Sequence, residues 1–146
     1  MDSLKKQLGE GDRRRRAIDG ACRVLDQEVD SKSGLGGMAI KAAFKVVKGI
    51  KPGFVGEVVD NLLNDFLDAL DPFYQEAKSA GGSPRAAIVD QSGPVAEALL
   101  AITDHRAGRA QRAVIKKTYD KLRPTAKQHV QAAAPRIGEL VEEHAD

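Results

Sequence analysis

The residues able to do chemistry in this 146-residue chain are three histidines, one cysteine, several carboxylates and a set of grouped cations. His105, His129 and His144 are scattered, and none stands in an HExxH or HxH arrangement. A metal site needs three or four convergent ligands. Glu142, Glu143 and His144 are adjacent and so point to different faces of a helix. These histidines read as surface or boundary residues, and no metal is expected. Asp60, Asn64, Asp68 and Asp71 share one helix face at spacings of four, four and three. Paired carboxylates bind divalent ions or act as acid and base. Here they oppose a long apolar face, which is where solvated residues belong, and pairing with the lysines of the preceding helix is the other reading. Ser31, Ser33, Ser83 and Ser92 read as caps and turn residues, since no neighbouring motif supplies a base. Gly34-Leu35-Gly36-Gly37 opens a helix, but no strand precedes it and no GK[ST] follows, so it is no nucleotide loop. No catalytic residue and no cofactor is expected.

The cations carry more information. Placed on a helix at about 100° per residue, Lys41, Lys45 and Lys48 fall in one narrow sector. Leu35, Ala39, Ala42, Ala43, Val46, Val47 and Ile50 cover the opposite side, with Ile40 and Phe44 at its margin. Such a helix either packs on a protein core or settles on an anionic surface. Docked, it would form a hairpin with the following helix through Pro52-Gly53, its lysines flanking that helix's acids. Free, it is a lipid-surface helix spanning residues 38–51, although Trp is missing and Ala occupies much of its apolar face. Arg106, Arg109, Arg112 and Lys116 form a second stripe, at spacings of three, three and four, of the kind that neutralises phosphates. Together these seven residues are the candidate surface for an anionic partner. Arg13 to Arg16 are consecutive and splay around their helix. Specific nucleic-acid recognition is not expected: no base-reading motif or aromatic stacking platform accompanies the cations.

Positioning these groups falls to helices. Hydrophobic residues make up 42% of the chain and aromatics 4%, so the core must come from Ala, Val, Leu and Ile. Residues 1–56 hold 12 Lys/Arg against 7 Asp/Glu, residues 57–104 hold 2 against 9, and residues 105–146 hold 9 against 5. An acidic middle thus lies between basic flanks, which either fold against it or present a basic surface to a partner. Cys22 is the only cysteine, on the apolar face of its helix with Ile18, Leu25 and Val29, and reads as a buried, inert thiol in a reducing cytoplasm. No apolar run approaches the ~20 residues that span a bilayer.

The strongest helix signal is Phe54 to Leu70. Phe54, Val58, Leu62, Phe66 and Leu70 form one row at spacing four, and Val55, Val59, Leu63 and Leu67 form a second beside it. Around this central helix the periodicity predicts one from Asp12 to about Asp30, the lysine-striped helix to about Ile50, and a restart at Asp71-Pro72. Further helices are predicted from Ser83-Pro84 and Ser92-Gly93-Pro94, then a basic helix over Arg106–Leu122 interrupted at Arg123-Pro124. A last helix carries Val130, Ala134, Ile137 and Val141, and Pro135 inside that pattern either kinks it or starts a separate helix. Residues 1–11 are expected to be a loosely ordered tail, and residues 12–146 a single all-α domain, a compact bundle of six to eight helices.

The runs SKSGLGGMAIKAAFKVVKGIKPGF, LDALDPFYQEAKSAG and YDKLRPTAKQHVQAAAPRIGELVEEH resemble an uncharacterised family of small helical bacterial proteins, of actinobacterial type. The resemblance covers about Asp26 to His144. It implies a cytoplasmic bacterial protein without an assigned activity, and it transfers no site residue. The leading expectation is a non-enzymatic binding or scaffold protein that engages another protein, or itself, through its segregated basic and acidic surfaces. Peripheral binding to anionic membrane lipid through helix 38–51 is the alternative. A carrier for a small apolar ligand, with Phe54, Phe66, Phe73 or Tyr119 lining the pocket, is a third.

Overall fold

The structure is a computed structural model and describes residues 2–146. Its elements are α1 (Leu4–Leu8), α2 (Gly11–Ser31), α3 (Gly34–Lys48), α4 (Phe54–Ser79), α5 (Pro84–Asp90), α6 (Ser92–Gly108) and α7 (Ala113–His144). There is no strand among the described residues, so the chain is an all-α bundle of seven helices. The two longest helices, α4 and α7, organise it. Helices α2, α5 and α6 each pack on both of them.

The core is the one the periodicity requires. Val59, Leu63 and Leu67 from the second row of α4, together with Leu70, are buried, whereas Phe54, Val58, Leu62 and Phe66 of the first row are half-buried. Ile88 of α5, Val95 and Leu99 of α6, and Ala134 and Val141 of α7 complete one cluster with Leu63, Leu67 and Leu70. Two glycines let helices approach closely. A Cβ on Gly138 would stand 2.8 Å from the Cα of Arg85, so α5 crosses α7 backbone to backbone; one on Gly20 would run into Leu140 Cδ1, where α2 meets α7.

Three boundaries differ from the sequence reading. Helix α4 runs through Pro72 to Ser79. The proline removes one backbone donor, yet Leu67, Leu70, Tyr74 and Ala77 keep one buried face in register across it, and that packing outweighs the lost bond. Pro124 is likewise absorbed within α7; the same helix runs through Pro135, where the sequence leaves a kink or a new helix open. The expected helix Arg106–Leu122 is instead two: α6 ends at Gly108, and residues 109–112 turn the chain into α7. The antiparallel pair is stitched by Asp104, which accepts from Arg123 Nε at 2.7 Å and from the Tyr119 hydroxyl.

Residues 1–11 also differ from the expected loose tail. Leu4 and Leu8, at spacing four, are 0% and 3% exposed and belong to the core. Ser3 caps α1 by accepting from Lys6 N, and Asp71 Oδ1 accepts from Leu4 N at 2.8 Å. Too short to hold itself, α1 is made by these caps and by its packing on α4. Gln7 is buried between Tyr74 Oη, at 3.2 Å, and the backbone N–H of Asp146, which donates to its Oε1 at 2.8 Å. Met1, the first residue of that expected tail, lies outside the described residues.

A candidate docking surface on helix α3

Helix α3 opens on Gly34, whose φ of +72° turns the chain out of α2. Its sequence is apolar over an arc too broad for one neighbour to cover, and the structure divides that arc in two. Ile40, Ala43, Phe44, Val47 and Ile50 are half-buried toward the bundle, where α3 rests on α2, α4 and α7. Leu35, Met38, Ala39, Ala42 and Val46 face solvent; Leu35 is 87%, Met38 67% and Val46 45% exposed. These five residues recur at helical spacing, so they form one continuous stripe on the outer face. This contiguous apolar exposure makes the outer face of α3 the candidate surface. The sequence reading grouped Ala43 and Val47 with this stripe and placed Ile40 and Phe44 at the margin. It missed that only one half of the apolar arc is covered.

All three lysines of the helix are exposed and lie beside the stripe. Lys48 reaches Asp26 Oδ1 at 3.5 Å and stands 4.9 Å from the Phe44 ring. Lys41 and Lys45 have no carboxylate partner among the described residues. The expected pairing of these lysines with the acids of α4 does not occur. Asp60 is taken by Arg14 at 2.8 Å, Asp65 by Arg106 at 2.8 Å, Asp68 by Lys5 at 3.5 Å and Glu57 by Lys51 at 2.9 Å. With Glu97–Lys127 and Asp104–Arg123 added, six acids of the 57–104 segment pair with cations of the two basic flanks. The charge segregation along the chain is thus largely neutralised within the fold.

The second cationic stripe does not survive as a stripe. Arg106 belongs to α6 and pairs with Asp65, and Arg109 and Arg112 lie in the connection. Arg112 stacks over Phe54 at 5.7 Å, and Lys116 starts the first turns of α7. Asp65, His105, Arg106 and Arg109 line an open groove of about 420 Å³. A second groove, of about 270 Å³, lies between α2 and α7 and is lined by Arg23, Gln27, Arg136 and Glu139 among others.

Elsewhere the ionisable groups are held by structural partners. Hydrogen bonds from Arg123 and then Tyr119 lower the Asp104 carboxyl below its ordinary value, and burial raises the Tyr119 hydroxyl. Glu142 is lowered by Ser83, with the backbone N–H of Arg85 adding a second bond, so this acid fastens the start of α5 to α7. Glu28 is nearly buried and bridges Lys32 at 3.2 Å and Arg136 at 2.9 Å, fixing the end of α2 to α7. Burial, followed by the charge of Lys32, lowers His129. Cys22 is half-buried, not fully buried as expected, and its neighbour Leu25 is exposed; burial first, then Asp19 and Asp26, pushes the thiol up, away from thiolate chemistry. Among the described residues no three His, Cys, Asp or Glu side chains converge on a metal position. No described helix is long and apolar enough to cross a membrane.

A seven-helix bundle with one apolar helix face left uncovered defines the structural class. The chain belongs to a family of unknown function (DUF6918), whose model matches residues 4–145. Neither a curated protein nor a solved structure matches the chain.

Proposed function

We propose that this protein is a non-enzymatic binding protein that docks on anionic phospholipid surfaces through the outer face of α3. The observation that carries this reading is the solvent-facing stripe Leu35–Met38–Ala39–Ala42–Val46 with the exposed Lys41 and Lys45 beside it, neither paired with a carboxylate among the described residues. An in-plane amphipathic helix binds by placing its apolar face at the acyl boundary while its lysines meet anionic headgroups. The stripe is a convex ridge, and a bilayer deforms to receive one. Long lysine side chains keep their ammonium groups among phosphates while their stems lie on hydrocarbon.

Two other readings have less support. Association through segregated acidic and basic surfaces would draw on charges that largely neutralise one another within the chain. A carrier lined by the aromatic residues would need them free, whereas Phe66 and Phe73 pack on the core and Tyr119 is bonded to Thr103 and Asp104. The membrane reading puts the protein on the cytoplasmic leaflet, where anionic lipid is concentrated and Cys22 stays reduced.

The test is co-sedimentation with vesicles rich in phosphatidylserine or cardiolipin. The protein sediments at low salt, stays in solution at high salt and with phosphatidylcholine alone, and loses binding as the Lys41→Glu/Lys45→Glu/Lys48→Glu variant. Absence of sedimentation with both anionic compositions refutes the reading.

A further inference from the structure

Helix α3 is attached to the molecule more loosely than any other long helix. Its only buried residue is Gly37. None of its side chains belongs to the buried core, which draws on every other helix. Even the inward residues Ile40, Phe44 and Val47 stay partly exposed. Its joints at both ends turn on glycines in the left-handed region, Gly34 at φ +72° and Gly53 at φ +75°, and nothing lies within 4 Å of where either Cβ would stand. Among the described residues, the one side-chain hydrogen bond or ion pair between α3 and another helix is the exposed pair Lys48–Asp26 at 3.5 Å.

The placement of charge around the helix adds the second half of the argument. At about 100° per residue, the lysine sector lies to one side of the outer stripe. It lies diametrically opposite the centre of the whole apolar arc, from Met38 round to Phe44. A helix that stayed docked would use half of that division. A helix lying free in a headgroup layer would use all of it, with both apolar halves down and the lysines up.

We infer that α3 is a hinge-mounted lipid arm: an anionic bilayer draws it out of the bundle, so that its inner and outer faces both enter the headgroup–acyl boundary while the core stays folded. This rests on the membrane reading above. Detachment gives up the half-buried contacts of the inner face but removes no residue of the buried cluster, and the two glycine joints supply the rotation.

The experiment places an environment-sensitive nitrobenzoxadiazole probe on single cysteines in a Cys22→Ser background, at Ala42→Cys on the outer face and at Val47→Cys on the inner face. Phosphatidylserine-rich vesicles are expected to brighten both probes at least twofold and to shift both emissions to the blue. Hydrogen exchange over residues 63–77 stays unchanged. If Val47→Cys loosens the free protein, Ala43→Cys carries the probe at a smaller inner residue. Sedimentation with a response at Ala42 alone overturns the inference and leaves α3 as a fixed docking ridge. Failure to sediment at all removes the membrane reading along with it.

Discussion

Replacing Leu35 and Met38 together by serine separates a binding role for α3 from a packing role. Both side chains point to solvent, Leu35 at 87% and Met38 at 67% exposure, and neither belongs to the core. Full burial of such a side chain is worth about 1.5–3 kcal/mol. Since most of each surface is still available to be buried, the pair contributes about 3 kcal/mol to lipid partitioning, or about two orders of magnitude in affinity. The same change removes no buried contact, so unfolding free energy should move by no more than about 0.5–1 kcal/mol, the cost of serine against leucine and methionine in a helix. The assay is paired: chemical denaturation of wild type and variant, and titration of each with phosphatidylserine vesicles. A loss of several kcal/mol in stability would mean that these residues are packed. Undiminished vesicle affinity in a stable variant would mean that the stripe is not the lipid surface. Either result refutes the reasoning.

Other consequences concern the scaffold and follow from close contacts and titrating groups. Gly138→Ala pushes a methyl group to 2.8 Å from the Arg85 Cα, a backbone atom that cannot rotate away, and should cost about 1–3 kcal/mol in thermal or chemical denaturation. Gly20→Ala meets the mobile end of Leu140 and should cost less. Tyr74→Phe removes the hydroxyl that accepts from Gln7 Nε2 at 3.2 Å and donates to the Asp146 carbonyl, while Gln7 Nε2 keeps the Asp2 carbonyl; it should destabilise by about 1–2 kcal/mol and leave vesicle binding intact. Acid should act in two stages. His129 has a lowered folded value, so the unfolded chain takes up its proton first, and stability falls as pH drops below about 6.5; His129→Gln should flatten that stage. Asp104, Glu97 and Glu142 are lowered too, so their contribution is present above about pH 4 and is lost as pH falls through their folded values. A denaturation series from pH 8 to pH 2 would show both stages or neither.

Much of the architecture was legible because α4 announces itself. Two rows of apolar residues at spacing four, ended on one side by Pro52-Gly53, admit no other element, and the buried Val59, Leu63 and Leu67 are one of those rows. The Ser83-Pro84 start held for a local reason, since Ser83 caps α5 by accepting from Ala86 N with Pro84 in the first turn; α6 also starts at Ser92, but its cap position is Gln91, with no side-chain cap bond, and Ser92 lies inside the helix. What local signals missed was decided at long range. Pro72 looks like a restart, but a buried face continuous from Leu67 to Ala77 carries the helix past it. Leu4 and Leu8 look like a tail because the carboxylate that caps α1, Asp71, stands 67 residues away. The site was half legible. Charge division singled out Lys41, Lys45 and Lys48, but which side of a broad apolar arc faces water depends on where α2, α4 and α7 lie, and no spacing reports that. The Arg106–Lys116 stripe failed because spacing implies a shared face only within one helix, and the chain turns at residues 109–112.

The central claim is that the outer face of a loosely held α3 is uncovered in the free protein and becomes covered on anionic lipid. Hydrogen exchange over residues 34–53, measured in solution and again with phosphatidylserine vesicles, addresses it most directly. The account predicts rapid exchange in the free protein, strong slowing on vesicles, and no change in the buried segment of α4. Protection of α3 in solution equal to that of α4, or exchange that vesicles leave unaltered, would contradict it.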